Sequence, residues 1–390
     1  MSRFTQKSTI VITCPKGIGP YLKKEVLALG FPDVFELTAG VETAGTLEDA
    51  MTLNLSLRTA HRVLYLVAAF DAHTPDDLYD QTARLPWEDY IATDGYISVT
   101  SSVDTHTVRD PRFVNLRCKD AIADRFMEIF GVRPDSGPNR HRTVLHIFWQ
   151  NSHCRIYIDS SGEPLARHGY RKISLKAPMQ ETLAAATILA TGWNGDGHFI
   201  NPMCGSGTLA IEAALIAVQK VPGLLRTNFG FMHVKGFDAL AWKNLRREAR
   251  MRTKKSMEWK IIASDIKHDA IHAAKKNAMT AGVAHLIDFY TCDFSKTPVP
   301  SDHGVIVLNP EYGERLGQIT HLKDTYRAIG DFFKQKCTGY RGFIFTGNLT
   351  LAKHVGLRTT RRQPFFNSNI ECRLLEYDLY PGSRKTKHPA

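Results

Sequence analysis

The stretch His198-Phe199-Ile200-Asn201-Pro202-Met203-Cys204-Gly205-Ser206-Gly207-Thr208 sets a glycine-rich loop between a short apolar run and an alanine-rich helical pattern, Thr208–Gln219. Glycine at such a place lets the backbone approach a ligand where a side chain would collide, and the helix start behind it offers unpaired N–H groups. Taken literally, Gly205-Ser206-Gly207-Thr208-Leu209-Ala210 matches the dinucleotide fingerprint G-x-G-x-x-A. That fingerprint expects an acid about 20 residues on, at the end of the next strand. No Asp or Glu lies between Glu212 and Asp238, and the next strand ends at Asp265 after a long insertion. A nicotinamide enzyme is therefore disfavoured.

Around this loop, hydrophobic strands alternate with longer helices, the pattern of a parallel sheet with helices on its faces. The strands expected are 198–200, 260–264, 287–291, 304–308, 341–346 and a last one over 372–379, with helices at 184–191, 208–219, 268–281 and 322–336. Asp265, with Ile266 beside it, closes the second strand, and Asp293, followed by Phe294, closes the third. An acid at the first position can take both ribose hydroxyls of an adenosine. One at the second can accept from the adenine amino group, with Phe294 against the ring. Each Asp alone also suits a helix N-cap or a turn; two at successive strand ends behind a glycine loop favour the nucleoside.

The apolar run Gly304-Val305-Ile306-Val307-Leu308 is followed directly by Asn309-Pro310-Glu311-Tyr312. An exocyclic amine on a base is a poor nucleophile because its lone pair is delocalised into the ring. The Asn309 side-chain carbonyl and the Pro310 backbone carbonyl can hold its hydrogens, while Tyr312 stacks on the base, a contact contributing roughly 1–3 kcal/mol. Positioning then carries the reaction without a titrating base. An isolated Asn-Pro is common in turns; its place after a buried strand, about 100 residues behind a glycine loop, points to methyl transfer onto a planar amine.

The chain of 390 residues is long enough for two or three domains, with 43% hydrophobic and 23% charged residues and a net charge of +11. The basic balance suits a phosphate-bearing partner, although a basic protein without one fits it too. Seven scattered cysteines without a C-x-x-C pair argue against a zinc site or disulfide framework and for a reducing cytoplasm. No metal is expected. The first residues lack an apolar signal core and no window nears 18 apolar residues, so a soluble, cytoplasmic chain without a membrane span is expected. The first 160 residues alternate short strands (8–13, 62–70, 96–101 and a hairpin 143–149/154–159) with helices (21–29, 47–57, 116–129), as small α+β domains do. Ser160-Ser161-Gly162-Glu163-Pro164 reads as a boundary. The tail Ser383–His388 reads as frayed. Arg167-His168-Gly169-Tyr170-Arg171-Lys172 and the run Lys243–Lys260 could track an RNA backbone, or, for the second, form a solvated helix face.

Asn201–Thr208, Asn309-Pro310-x-Tyr312-Gly313-Glu314-Arg315-Leu316-Gly317 and Asn367-x-x-Ile370-Glu371-Cys372-Arg373-Leu374 together resemble the THUMP-containing RNA guanine-N2 methyltransferases, specifically the bacterial 23S rRNA large-subunit methyltransferase L group. His168-Gly169-Tyr170-Arg171, Ala177-Pro178, Glu181-x-Leu183-Ala184-Ala185-Ala186, Pro222-Gly223-Leu224 and Phe229-Gly230-Phe231 are similar to that group as well. The resemblance is specific from about residue 160 onward. It implies an α/β fold: a Rossmann-like class I methyltransferase with a seven-stranded, mostly parallel sheet, preceded by ferredoxin-like and THUMP domains. The expected domains are 1–66 (ferredoxin-like), 67–160 (THUMP) and 161–390 (methyltransferase).

The resemblance further implies S-adenosyl-L-methionine as methyl donor, with Asn201, Pro202, Cys204, Gly205, Gly207, Asp265, Ile266, Asp293 and Phe294 lining its pocket. Asn309, Pro310 and Tyr312 would hold the flipped base, and Arg167, Arg171 and Lys172 would meet RNA. The expected partner is 23S rRNA or a large-subunit precursor, with tRNA as the alternative. The chain resembles the single-methyltransferase form of the family. Where the family has Asn-Pro-Pro-Tyr this chain has Glu311, which either points to solvent or faces the base. An adenine N6, a protein glutamine amide and an RNA-binding assembly factor without catalysis are the rival readings.

Overall fold

The computed structural model describes residues 3–175, 178–312 and 319–380. The stretch 313–317 of the motif Asn309–Gly317, Ala177 and the tail from 381 lie outside the described residues. The chain divides into two units: one runs to Ala166 and takes in Val221–Met251, the other comprises Arg167–Lys220 and the chain from Arg252.

The first unit holds β1 (Ser8–Thr13), β2 (Phe35–Leu37), β3 (Gly40–Gly45), β4 (Arg62–Asp71), β5 (Tyr96–Asp104), β6 (Asp135–Ser136), β7 (Thr143–Gln150) and β8 (His153–Asp159). They form one sheet in the order β2-β3-β1-β4-β8-β7-β5-β6. β4 joins its halves: Arg62–Tyr65 pair with β1, and Leu64–Asp71 pair with β8 across an irregularity between Leu66 and Ala68. The boundary expected at 66/67 falls inside this strand. Helices Leu47–Ser56 and Pro75–Ala83 both start with capping boxes, Thr46 with Asp49 and Thr74 with Asp77.

The segment 160–164, expected as a boundary, lies just before this stretch of the unit ends at Ala166, and it is held to the unit. Ser160 and Ser161 are buried, and Arg226 donates to the carbonyls of Ser161, Glu163 and Pro164. Arg246 in turn donates to the carbonyls of Gly223, Leu224 and Arg226 and lies over the Trp242 ring. Arg246 is therefore withdrawn from the exposed face of the basic run Lys243–Lys260. Arg246 is engaged inward because the chain around 223–226 leaves carbonyls that need donors, while Lys243, Arg247 and Arg250 stay exposed.

The second unit holds β9 (His198–Pro202), β10 (Ile261–Asp265), β11 (Ile287–Thr291), β12 (Gly304–Leu308), β13 (Tyr340–Thr346), β14 (Arg361–Asn367) and β15 (Ile370–Asp378). Their order is β11-β10-β9-β12-β13-β15-β14, parallel through β13, with β15 antiparallel to β13 and β14 antiparallel to β15. This is the seven-stranded, mostly parallel sheet expected. β9 is buried at all five residues because it lies centrally. Ile200, Ile262, Ile306 and Leu308 pack with Tyr326, Ile329 and Phe333 of helix Ile319–Lys336. The chain runs from β9 outward to β10 and β11, then returns to β12 on the other side of β9. That reversal puts the topological switch between β9 and β12, where the carboxyl ends of open α/β sheets form a crevice.

Candidate active site

Four consecutive strands deliver candidate residues to one edge. β9 ends at Asn201-Pro202, β10 at Asp265, β11 just before Asp293, and β12 just before Asn309. Asn201 is fully buried, and its Nδ2 donates to the Val307 carbonyl at 2.8 Å, tying β9 to β12 at the switch point. Its Oδ1 is buried, and Asn309 Oδ1 is buried also; neither has a hydrogen-bond partner among the described residues. Leaving a buried acceptor unpaired costs about 1–3 kcal/mol, so such atoms in a folded protein call for an explanation.

The loop after β9 turns through three left-handed residues: Met203 at φ 55°, Gly205 at 55° and Gly207 at 81°. The two glycines differ in purpose. A Cβ on Gly205 would meet open space, leaving its backbone accessible, whereas one on Gly207 would lie 2.8 Å from the Ala274 Cβ. Gly207 thus allows helix His268–Ala281 to press against the loop. Cys204 N–H donates to the Ser264 carbonyl and Gly207 N–H to the Cys204 carbonyl, both at 2.9 Å. Burial pushes the Cys204 thiol up, so it stays a neutral thiol.

Asp265 accepts from Gly205 N–H through Oδ2 and from Lys267 N–H through Oδ1, each at 3.0 Å. Each oxygen keeps a lone pair for a further donor, so the carboxylate is aimed without being used up. Ile266 beside it is 66% exposed, unusual for an isoleucine at a buried strand's end. Asp293 caps the short helical turn Phe294–Lys296, with Oδ1 accepting from Ser295 N–H and Oγ. The capping alternative is thus realised, and it uses one of the two oxygens. Phe294 is half-buried and packs edge-on to Phe332, ring centroids 6.0 Å apart.

Pro310 is buried, Tyr312 is half-buried, and Glu311 is exposed. The Tyr312 hydroxyl accepts from Asn367 Nδ2 at 3.1 Å, and burial pushes the phenol pKa up from its ordinary value. A Cβ at Gly347 would come within 3.0 Å of both Tyr312 Cδ2 and Ile370 Cγ2, so the missing side chain there makes room for the ring. Asn367 and Ile370 close the hairpin between β14 and β15. Sequence reading found these residues as a motif but not their contact with Tyr312.

The three residues expected at RNA do not sit alike. Arg167 and Lys172 are exposed. Arg171 is turned inward, its side chain 14% exposed, donating to Glu181 Oε1 at 3.2 Å, the Met179 carbonyl at 2.6 Å and Thr208 Oγ1 at 3.2 Å. A guanidinium committed to a buried carboxylate is not presented to phosphate. Among the described residues no group of three or more His, Cys, Asp and Glu is placed to hold a metal ion, and no helix is long and apolar enough to cross a membrane.

Residues 168–376 match the model of the RMKL-like methyltransferase domain. The chain belongs to the RMKL-like methyltransferase family. Residues 9–64 match the RlmL ferredoxin-like domain and 72–159 the THUMP domain, so β4 carries the join between them. The chain is similar to the ribosomal RNA large subunit methyltransferase K/L of Syntrophotalea carbinolica, 38% identical over 94% of this chain and 53% of that protein. The chain thus spans about half the length of the curated relatives it matches first. Among solved structures, SMU.472 in complex with SAH (S-adenosylhomocysteine) superposes with TM-score 0.87 at 27% identity, covering 97% of this chain and 100% of that one. A Listeria monocytogenes protein named a predicted N6-adenine-specific DNA methylase superposes at 0.86 with 30% identity, covering 95% and 96%. S-adenosylmethionine is the cofactor of this family. The open approach at Gly205, the aimed Asp265 carboxylate and the unpaired Asn201 Oδ1 fit such a nucleoside at the β9–β10 edge.

Proposed function

We propose that the protein methylates the exocyclic N2 of a guanosine in 23S rRNA, using S-adenosylmethionine, with the base flipped out and held by Asn309-Pro310-Glu311-Tyr312. The observation that carries this reading is the buried, unpaired Asn309 Oδ1 beside the switch point. An amine hydrogen is the partner this acceptor lacks. The cofactor, when bound, supplies an electrophilic methyl group. Asp265 holds the ribose hydroxyls with its remaining lone pairs, Ile266 covers the adenine, and the second oxygen of Asp293 takes the adenine amine. Asn309 Oδ1 and the Pro310 carbonyl hold the two hydrogens of the guanine amine, so that its lone pair points at the methyl. Tyr312, tethered by Asn367, stacks on the base. Transfer would form the N–C bond as the methyl–sulfur bond of the donor breaks, leaving S-adenosylhomocysteine. The nitrogen, cationic on methylation, would release a proton to water, so no residue of shifted pKa is required.

Because Asn309 Oδ1 is covered, base entry requires a rearrangement around the loop. Flipping costs least where the base is already unpaired, in an RNA loop or an incompletely folded precursor. The THUMP match and the exposed Arg167 and Lys172 support RNA as the substrate. The test is methyl transfer from labelled S-adenosylmethionine to protein-free 23S rRNA, a large-subunit precursor and bulk tRNA, with Asn309→Ala as control. Label recovered as N2-methylguanosine from rRNA and lost in the variant is the expected result. N2-methylguanosine in tRNA alone moves the substrate, N6-methyladenosine overturns the base assignment, and SAH binding without label in any substrate favours a non-catalytic RNA-binding role.

A further inference from the structure

The strap that enters the second unit, His168–Ile173, is fastened to both sides of Gly207. On one side Arg171 donates to Thr208 Oγ1, the first residue of helix Thr208–Ala217. On the other stands Asn277, 1% exposed, from helix His268–Ala281. Its Oδ1 accepts from Lys172 N–H at 2.8 Å and Ile173 N–H at 3.0 Å. Its Nδ2 donates to the Ile173 carbonyl at 3.0 Å and to the Ser206 carbonyl at 3.2 Å. One buried amide thus satisfies three backbone groups of the strap and one of the glycine loop. Ala274, one turn earlier on the same helix, is the residue against which Gly207 packs. Helix His268–Ala281 therefore clamps the loop at two successive residues, by packing at Gly207 and by a hydrogen bond at Ser206.

We infer that Asn277 is a positioning residue for the cofactor: it holds the glycine loop in its ligand-ready turn and links that turn to the strap bearing Lys172. The inference rests on the reading of 203–207 as the loop that meets S-adenosylmethionine. The loop runs through left-handed residues, two of them non-glycine or tightly packed, and such a backbone persists only where its surroundings hold it. Ser206 O is the loop carbonyl that Asn277 takes up; without that donor a buried carbonyl is left unpaired beside a strained turn. Because the same amide group holds Lys172 and Ile173, ordering of the loop by a bound nucleoside also orders the strap.

The test is calorimetric binding of SAH to the full chain and to Asn277→Asp and Asn277→Ala. Asp keeps the acceptor for the two strap N–H groups but turns the donor facing Ser206 O and Ile173 O into an oxygen that repels them. The expected result is an SAH Kd raised about tenfold in Asn277→Asp, with KM for S-adenosylmethionine rising more than kcat falls. An unchanged Kd with only a lowered melting temperature overturns the inference, because a merely structural amide would give that result. A second measurement needs no variant: in the wild-type protein, SAH should slow amide hydrogen exchange at Lys172 and Ile173 together with the loop amides. Slowing at the loop alone overturns the link. Wild-type protein that binds no SAH overturns the reading of the loop itself, a failure distinct from the other two.

Discussion

The loop after β9 and the loop after β12 stand on neighbouring strands, yet they are finished differently. The first is closed from within: Gly205 N–H, Cys204 N–H and Gly207 N–H all have partners, Ser206 O is taken by Asn277, and Asp265 is already aimed. In the second, the described residues Asn309–Tyr312 are held at Tyr312 by Asn367 and the space above Gly347, while Asn309 Oδ1 has no partner among the described residues and Glu311 faces solvent. A loop whose backbone is held from within, with the Asn201 Oδ1 acceptor open beside it, suits a nucleoside that binds in the same pose every cycle. A tetrapeptide held at Tyr312, with Asn309 Oδ1 open and no comparable backbone clamp among the described residues, suits a substrate base that completes it during turnover. On the proposed reading one loop binds the cofactor and the other holds the base, and variants can separate the two.

The largest separation is expected at Asn309. Asn309→Ala should lower turnover by about 10²–10³-fold, the scale for losing one preorganised polar partner, while SAH affinity measured by calorimetry stays at the wild-type value. A parallel loss of SAH binding would break the division between the loops. Asp265→Ala should do the converse. Losing hydrogen bonds to a charged group costs about 1.5–3 kcal/mol, so SAH binding should weaken by roughly 10–100-fold.

Tyr312 sharpens the picture of the second loop. Tyr312→Ala should cost roughly 1–3 kcal/mol in kcat/KM for RNA through lost stacking, and Asn367→Ala only about 0.5–1.5 kcal/mol, since the ring remains and its tether goes. Equal losses would make the tether rather than the ring the working part. Burial holds the phenol neutral above its ordinary value of 10.0, so turnover should show no Tyr312-dependent loss as pH rises to 9, and Tyr312→Phe should leave the shape of the profile unchanged. The smallest effect is expected at Glu311. Because that side chain is exposed, Glu311→Pro should leave turnover unaltered and raise stability by about 0.4–1 kcal/mol through the unfolded chain. A large gain in turnover would mean that Glu311 hinders the base after all.

β9, β10 and β12 are legible because each is a short, mostly apolar run that stops at a polar residue, and those stops are the candidate site. β14 was not read. Its sequence, Arg361-Arg362-Gln363-Pro364-Phe365-Phe366-Asn367, carries charge and a proline, which an edge strand tolerates and a central one does not. The two residues between Asn367 and Ile370, with Ser368 at φ 54°, were the available signal for its hairpin. β2 and β3 were missed because three exposed residues and a glycine-bounded strand give no clear alternation. Helix Pro75–Ala83 was missed although Thr74 and Asp77 carried its capping box.

By itself the sequence determined which residue types stand at the ends of which strands, and hence the sheet, the glycine loop and the paired acids. These follow from local pattern, since an apolar run needs burial and a glycine at φ near 80° needs no side chain. Only the tertiary structure decided which of two chemically equal candidates faces inward. Arg171 and Lys172 are adjacent and both basic, yet one is held by Glu181 and Thr208 and the other is exposed. Asn277 and Asn367 look like any surface amides until the chain brings Ser206 and Tyr312 to them. The physical reason is the same in each case: a side-chain hydrogen bond depends on a partner from another element, ten to seventy-one residues away, and only the folded chain supplies it.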